Sequence, residues 1–394
     1  MKFQRTRHGA GFSFAQIGSV ACMDIRTIRC AKSQSQLVVH ADAGCVATSW
    51  QVRGQEMLAL PVALAEFLKS QKTGGIPLLY PYANRLRADH FTAAGKAVDL
   101  SRDANLKRDA NGFPMHGLLI RWPDWVVTQP APDELQASIA WGDHAPLFAA
   151  YPFAHTLRVR WKLGQGKNEN ANQTANQIAG QGENQIADQS KHPQVNPSAD
   201  ELTSASTLTV TTIIEADKGQ DVPVSFGWHP YLVLQDRSNS KLQLPARRAI
   251  ALEQNGLPIS NATPAPWLPT CAQSAVAPLD DLFELDMRGT SGVELGNAAA
   301  SQLDFIEKSA TSTMPKNTQA AAEKSAPTAA IIAPHQRIEM KFLNGYSYMQ
   351  IYSPNGANFV CFEPMTATIS GLCDGAAVVK AGDTFTAAFE IRVF

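Results

Sequence analysis

Apolar and polar residues alternate strictly in several short stretches of the chain, and that period-two pattern predicts β-strands. Residues 156–163 read Thr-Leu-Arg-Val-Arg-Trp-Lys-Leu, and residues 207–215 read Thr-Leu-Thr-Val-Thr-Thr-Ile-Ile-Glu. Residues 337–342 alternate in the same way, as does the C-terminal run with Phe385, Ala387, Phe389, Ile391 and Val393. Further strands are expected at residues 36–40, 46–52, 137–141 and 248–252. Asn344-Gly345 is a strong hairpin signal, predicting that residues 346–352 return beside 337–342. A second turn at Pro354-Asn355-Gly356 precedes residues 357–362. Helical periodicity is scarce, residues 60–68 being the best short candidate. The pattern predicts an all-β protein, a large antiparallel β-sandwich.

Two stretches break the pattern. Residues 164–206 are rich in Asn, Gln, Ala and Gly and nearly devoid of large apolar side chains. Such a segment buries too little apolar surface to offset its ordering entropy. Residues 297–330 are rich in Ala, Ser, Thr and Lys. Both are expected to be low-complexity loop insertions in one sheet domain spanning residues 26–394, after an N-terminal extension of residues 1–25. Without the inserts, roughly 317 of the 394 residues remain, which suits one large all-β unit.

Charge excludes some partners. Lys plus Arg is 34 against 35 for Asp plus Glu, a net charge of −1. Nucleic-acid binding needs a basic face, and an anionic membrane surface attracts a polybasic segment; neither is indicated. No apolar run approaches the length of a membrane span. The six cysteines form no C-x-x-C pair and no disulfide framework. A cytoplasmic protein, monomer or homodimer, is expected.

Five clusters could carry chemistry. Asn84-Arg85 ends an apolar run containing Tyr80 and Tyr82. Its polar groups could bond sugar hydroxyls while the rings stack on sugar C–H faces. The alternative is a strand end with a surface arginine. His116-Gly117 allows close backbone approach to a ligand, or caps a turn. In Trp228-His229-Pro230-Tyr231 the proline stops a short strand beside the histidine, which is either reactive or a structural strand-end group. Asp280-Asp281 could hold hydroxyls or cap a turn. Glu363 directly follows the apolar run 359–362; burial there raises a carboxyl pKa, as suits a general base or acid, unless the residue turns to water. No metal-ligand spacing, phosphate loop or nucleophile elbow is present.

Taken together, these clusters resemble the aldose 1-epimerase, or galactose mutarotase-like, family. The resemblance rests on Pro77-x-x-Tyr80-Pro81-Tyr82-x-Asn84-Arg85-Leu86, on His116-Gly117, on His229-Pro230-Tyr231, on Asp280 three before Phe283, and on Tyr352-x-Pro354 followed by Glu363-Pro364-Met365-Thr366. Phe91, Gly95, Leu100 and Gly382 also fit, with Trp122 or Trp125 for the aromatic after His-Gly. It covers residues 26–394 apart from the two inserts, which are not family features. It implies a large β-sandwich and anomer interconversion of a free hexose without metal or cofactor. Glu363 would be the base and His229 the acid, on opposite sides of the C1–O5 bond and each about 2.6–3.2 Å from its proton partner. His116, Arg85, Asn84, Asp280 and Tyr231 would bind the sugar. Asp281 leaves the aspartate ambiguous by one position, and Arg121, Arg247 and Arg248 leave a hexose 6-phosphate open. A non-catalytic carbohydrate-binding module on the same fold is a second class. The near-zero net charge favours a neutral sugar.

Overall fold

A computed structural model describes residues 23–103, 105–167, 204–287 and 326–394. The two expected inserts lie largely outside these residues, as does almost all of the expected N-terminal extension. At their borders the strand His155–Lys167 runs past residue 164, Ser204–Ala216 starts before 206, and Thr328–Ala333 starts before 330.

Two large antiparallel sheets face one another. One has nine strands in the order Cys271–Ser274, Lys241–Leu244, Thr328–Ala333, Gln336–Asn344, Thr384–Val393, Ser204–Ala216, His155–Lys167, Glu134–Ala140 and Val126–Ala131. His155–Lys167 and Ser204–Ala216 pair along their whole length, as expected of two alternating stretches flanking one loop. The other sheet runs Arg247–Ala249, Leu279–Leu285, Tyr348–Ser353, Phe359–Met365, Gly227–Trp228 and Leu78–Leu79, with Tyr231–Val233 also on Phe359–Met365. A four-stranded sheet of Ile25–Cys30, Ser35–His40, Val46–Val52 and Gln55–Glu56 lies beside them. The inward faces close on a core in which Trp228 meets Trp161 and Phe389 of the nine-stranded sheet at 6.0 and 6.1 Å between ring centroids. Trp228 also donates to Thr212 Oγ1 at 3.0 Å, so its one polar atom is satisfied inside the sandwich.

One expectation fails and two are met only in part. Asn344-Gly345 is no hairpin turn. Gln336–Asn344 pairs with Thr328–Ala333 and Thr384–Val393, whereas Tyr348–Ser353 pairs with Leu279–Leu285 and Phe359–Met365. The dipeptide therefore carries the chain between sheets; at Gly345 (φ +76°) a Cβ would stand 2.5 Å from Ala387 Cβ. The strand expected at 248–252 is confined to Arg247–Ala249, because the chain then folds into a tight turn closed by Glu253 N–H donating to Leu257 O. The helix expected at 60–68 is one turn, Leu64–Phe67. By contrast, the turn expected at residues 354–356 joins Tyr348–Ser353 to Phe359–Met365, and the two strands pair across it. Among the described residues, no helix is long and apolar enough to cross a membrane.

Candidate active site

The seven-stranded sheet separates two environments by simple alternation. On Phe359–Met365, Val360 and Phe362 enter the main core, while Cys361, Glu363 and Met365 face the other way. On Tyr348–Ser353, Met349 and Ile351 enter the core, leaving Tyr348, Gln350 and Tyr352 on the second face. Pairing puts Gln350 beside Glu363 and Asp280 beside Tyr352. Gln350 Nε2 donates to Asp280 Oδ1 at 2.6 Å. Asp281, one residue on, lies on the opposite face, so Asp280 is the aspartate that faces the site.

His229 reaches the same face by register. Gly227 pairs with Met365 and Tyr231 with Cys361, so His229 falls opposite Glu363 on the neighbouring strand. Its Nε2 lies 3.2 Å from Glu363 Oε1, with the two side chains only 6% and 3% exposed. The acid and base expected on opposite sides of a sugar bond are thus in direct contact, because one register places them side by side. The Tyr231 ring stacks on the His229 imidazole at 4.5 Å, and its hydroxyl bonds Thr73 Oγ1 at 2.7 Å. The Tyr231 hydroxyl also lies 3.4 Å from His229 Nε2. Tyr231 therefore orients the histidine.

Strained backbone supplies the second histidine of the site. Asn84, His116 and Gly117 all have positive φ, at +53°, +68° and +75°. At Gly117 a Cβ would stand 2.2 Å from Tyr80 O, so only glycine fits. The His116 N–H bonds Asn84 O at 2.8 Å, and its ring meets that of His229 edge-on at 5.5 Å. Arg85 donates from Nε to Asp109 Oδ2 at 2.7 Å and from Nη1 to Asn84 Oδ1 at 2.9 Å. Asn84 thus positions Arg85 through its side chain and His116 through its backbone.

Electrostatics push this group toward neutral forms. Burial, then the nearby Asp280 charge, raises the Glu363 carboxyl well above its ordinary value, against the pull of Arg85. Burial, then the positive charge of Lys107, lowers His229 to about 3. The same two causes, with His229 and Arg85 behind them, put His116 well below the ordinary imidazole value. Glu363 Oε2, Gln350 Oε1 and the Nδ1 atoms of His116 and His229 are buried without a hydrogen-bond partner among the described residues. An unmet buried polar group costs about 1–3 kcal/mol, so these four atoms are free to bond a polar molecule that enters the site.

Some expected contributors are elsewhere. Tyr80 and Tyr82 are 1% and 0% exposed and cannot stack on a ligand; Tyr80 packs on Trp141 and bonds His155. Trp125 is buried in the main core and Trp122 packs on His144. Arg247 lies over the Phe283 ring, a core-facing residue, and Arg248 pairs with Glu284. Sequence reasoning misses Gln350, Thr73, Asp109 and Lys107. Only Gln350 carries a signal, as the polar residue between Tyr348 and Tyr352 on an alternating strand. Among the described residues, no cluster of His, Cys, Asp and Glu is arranged to hold a metal ion.

Comparison with known proteins supplies independent findings. The family model described as aldose 1-epimerase matches residues 26–179 and 201–390. Comparison with curated protein sequences gives no match. Among solved structures, a Synechocystis sp. PCC 6803 protein is 19% identical with a TM-score of 0.60, covering 94% of this chain and 95% of its own. A galactose mutarotase-like protein from Clostridium acetobutylicum is 12% identical with a TM-score of 0.61, covering 94% and 98%. A galactose 1-epimerase from Lactobacillus acidophilus NCFM is 12% identical with a TM-score of 0.52, covering 95% and 99%. At these identities the likeness is one of fold.

Proposed function

The chain belongs to the aldose 1-epimerase family, and from that premise we propose that it interconverts the α and β anomers of a hexose whose C1 hydroxyl is free. The observation that carries the reading is the buried contact between His229 Nε2 and Glu363 Oε1 at 3.2 Å, ringed by unpartnered polar atoms. Mutarotation needs one proton removed from the C1 hydroxyl and one delivered to the ring oxygen. Both oxygens are bonded to C1, so the two groups must address neighbouring atoms.

The pair holds the proton that this chemistry requires. A neutral carboxyl and a neutral imidazole differ from carboxylate and imidazolium by one transfer along their shared contact. In the second form Glu363 takes the C1 hydroxyl proton while His229 protonates the ring oxygen, and the C1–O5 bond breaks to the aldehyde. Rotation about C1–C2 and the reverse transfers close the ring with the other configuration. No net proton is consumed and no cofactor is needed. His116 would be a second donor to the ring oxygen, and Arg85, Asn84 and Asp280 would bond other hydroxyls. Tyr231 holds the His229 ring. The five cysteines among the described residues are free thiols, which suits a cytoplasmic location.

The test is polarimetry on freshly dissolved α-D-glucose and α-D-galactose. Glu363→Gln and His229→Asn should each lower the catalysed rate by roughly a hundredfold or more, as loss of a positioned acid or base does. Wild-type rates in either folded variant would remove the residue from the mechanism.

A further inference from the structure

Resting on the mutarotase reading, we propose that Gln350 is a specificity-determining residue whose amide oxygen accepts a hydrogen bond from the C2 hydroxyl of the hexose. Neighbouring strands present one side chain each in a row. Gly227–Trp228 and Tyr231–Val233, which flank His229, pair with one edge of Phe359–Met365, and Tyr348–Ser353 pairs with the other. Gly227 is opposite Met365, Tyr231 is opposite Cys361, and Gln350 is opposite Glu363. His229, Glu363 and Gln350 therefore lie on one line across the sheet, on the face turned away from the main core. Directly opposed residues have Cβ atoms about 4.5–5.5 Å apart, so Glu363 is bordered by His229 on one side and by Gln350 on the other. Gln350 is 2% exposed.

The orientation of the amide is fixed by its neighbour. Asp280 lies on the next strand, Leu279–Leu285, diagonal to Gln350. A carboxylate only accepts, so the 2.6 Å contact with Asp280 Oδ1 uses the amide nitrogen. The amide oxygen, Oε1, is left over, and it is buried without a hydrogen-bond partner among the described residues. It can only accept, and sugar hydroxyls are the matching donors. The row decides which hydroxyl. His229 serves the ring oxygen and Glu363 the C1 hydroxyl, and both of these oxygens are bonded to C1. Continuing from His229 through Glu363 to Gln350, the next oxygen around the ring is the one on C2, vicinal to the C1 hydroxyl. The order of the side chains across the strands is thus the order of the oxygens around the sugar. A sugar without the C2 hydroxyl leaves the buried Oε1 unmet in the complex, which disfavours it against one that supplies the donor.

The experiment compares D-glucose, 2-deoxy-D-glucose and 6-deoxy-D-glucose on the full chain by proton magnetisation transfer. Each rate is taken above that sugar's own enzyme-free rate, because the C2 hydroxyl also affects uncatalysed ring opening. Wild type should favour D-glucose over 2-deoxy-D-glucose in kcat/KM by about tenfold or more. Gln350→Met keeps the bulk and removes the amide. It should lose about tenfold on D-glucose, chiefly through KM, and its preference for D-glucose over 2-deoxy-D-glucose should shrink toward one. The ratio of D-glucose to 6-deoxy-D-glucose should be the same in both proteins, which a general loosening of the site would not spare. Equal turnover of D-glucose and 2-deoxy-D-glucose by wild type overturns the inference while leaving mutarotation standing, and this comparison decides even where the variant does not fold. A folded Gln350→Met that keeps the wild-type preference, or in which both deoxy-sugar ratios shrink alike, overturns it as well. No catalysed exchange of any of the three sugars overturns the mutarotase reading and this inference with it.

Discussion

Replacing His155 by glutamine should remove about 2 kcal/mol of acid sensitivity from the fold. His155 is 1% exposed, with Nδ1 2.6 Å from Phe153 O and Nε2 2.5 Å from the Tyr80 hydroxyl. A carbonyl only accepts, so Nδ1 carries the proton and Nε2 accepts from Tyr80. The neutral ring is therefore fully satisfied. Protonation would place a charge in the core and turn a second N–H toward Tyr80; burial lowers the imidazole to about 4, against a smaller opposing effect of the Phe153 carbonyl. In the unfolded chain a histidine titrates near 6.5. The folded value is depressed, so the stabilisation is complete above about 6.5 and is lost as pH falls toward 4. At pH 5 the unfolded ring is about 1.5 units below its pKa while the folded ring remains neutral, which at about 1.36 kcal/mol per unit gives ~2 kcal/mol. Urea unfolding of wild type and His155→Gln at pH 7.5, 6.5 and 5.0 measures it. The variant should be less stable at pH 7.5, and the gap should close by about 2 kcal/mol at pH 5. A gap that stays constant across this range would refute the neutral buried ring. The consequence reaches the site, because Tyr80 O accepts the Leu118 N–H at 2.7 Å and so clamps the turn carrying His116.

Further outcomes follow from the same geometry. Asp280→Ala should raise KM for the sugar by about tenfold through loss of a hydrogen bond to a charged group, while Asp281→Ala, on the other face, should change KM little; steady-state kinetics on both variants decide it. Gly117→Ala should lower the melting temperature and activity together, since a Cβ there meets the Tyr80 carbonyl at 2.2 Å. Glu363→Gln should stabilise the protein at pH 7.5 and not at pH 4. The folded carboxyl is raised, so its cost appears once the unfolded carboxyl ionises and grows as pH rises toward the folded value. Thermal melts at the two pH values check this.

The apolar run that leads into Glu363 makes the strand legible from the residues alone but leaves open whether the glutamate is buried or turns to water; pairing beside Gln350 and His229 decides for burial. A similar gap explains Asn344-Gly345. Alternation identifies strands on both sides of a turn but not their partners, and here the partners lie in different sheets. Tyr80 and Tyr82 mislead because an aromatic beside Asn-Arg looks the same whether its ring faces a ligand or the core. The core wins, through the Tyr80 contacts with Trp141, His155 and Phe226. The ambiguity between Asp280 and Asp281 disappears once pairing fixes which residue shares a face with Gln350. Lys107 is invisible in the sequence for a plainer reason: its charge matters only because the fold brings it near enough to His116 and His229 to oppose their protonation.

The central claim, that Glu363 and His229 exchange protons with the C1 hydroxyl and ring oxygen of a hexose, is tested most directly by anomer exchange in the paired variants. Wild type, Glu363→Gln, His229→Asn and the double variant are compared at pH 7.5 on the same sugar. The account predicts a loss of about a hundredfold or more in each single variant and little further loss in the double, because the two residues act as one unit. Exchange at the wild-type rate in the folded double variant would contradict it.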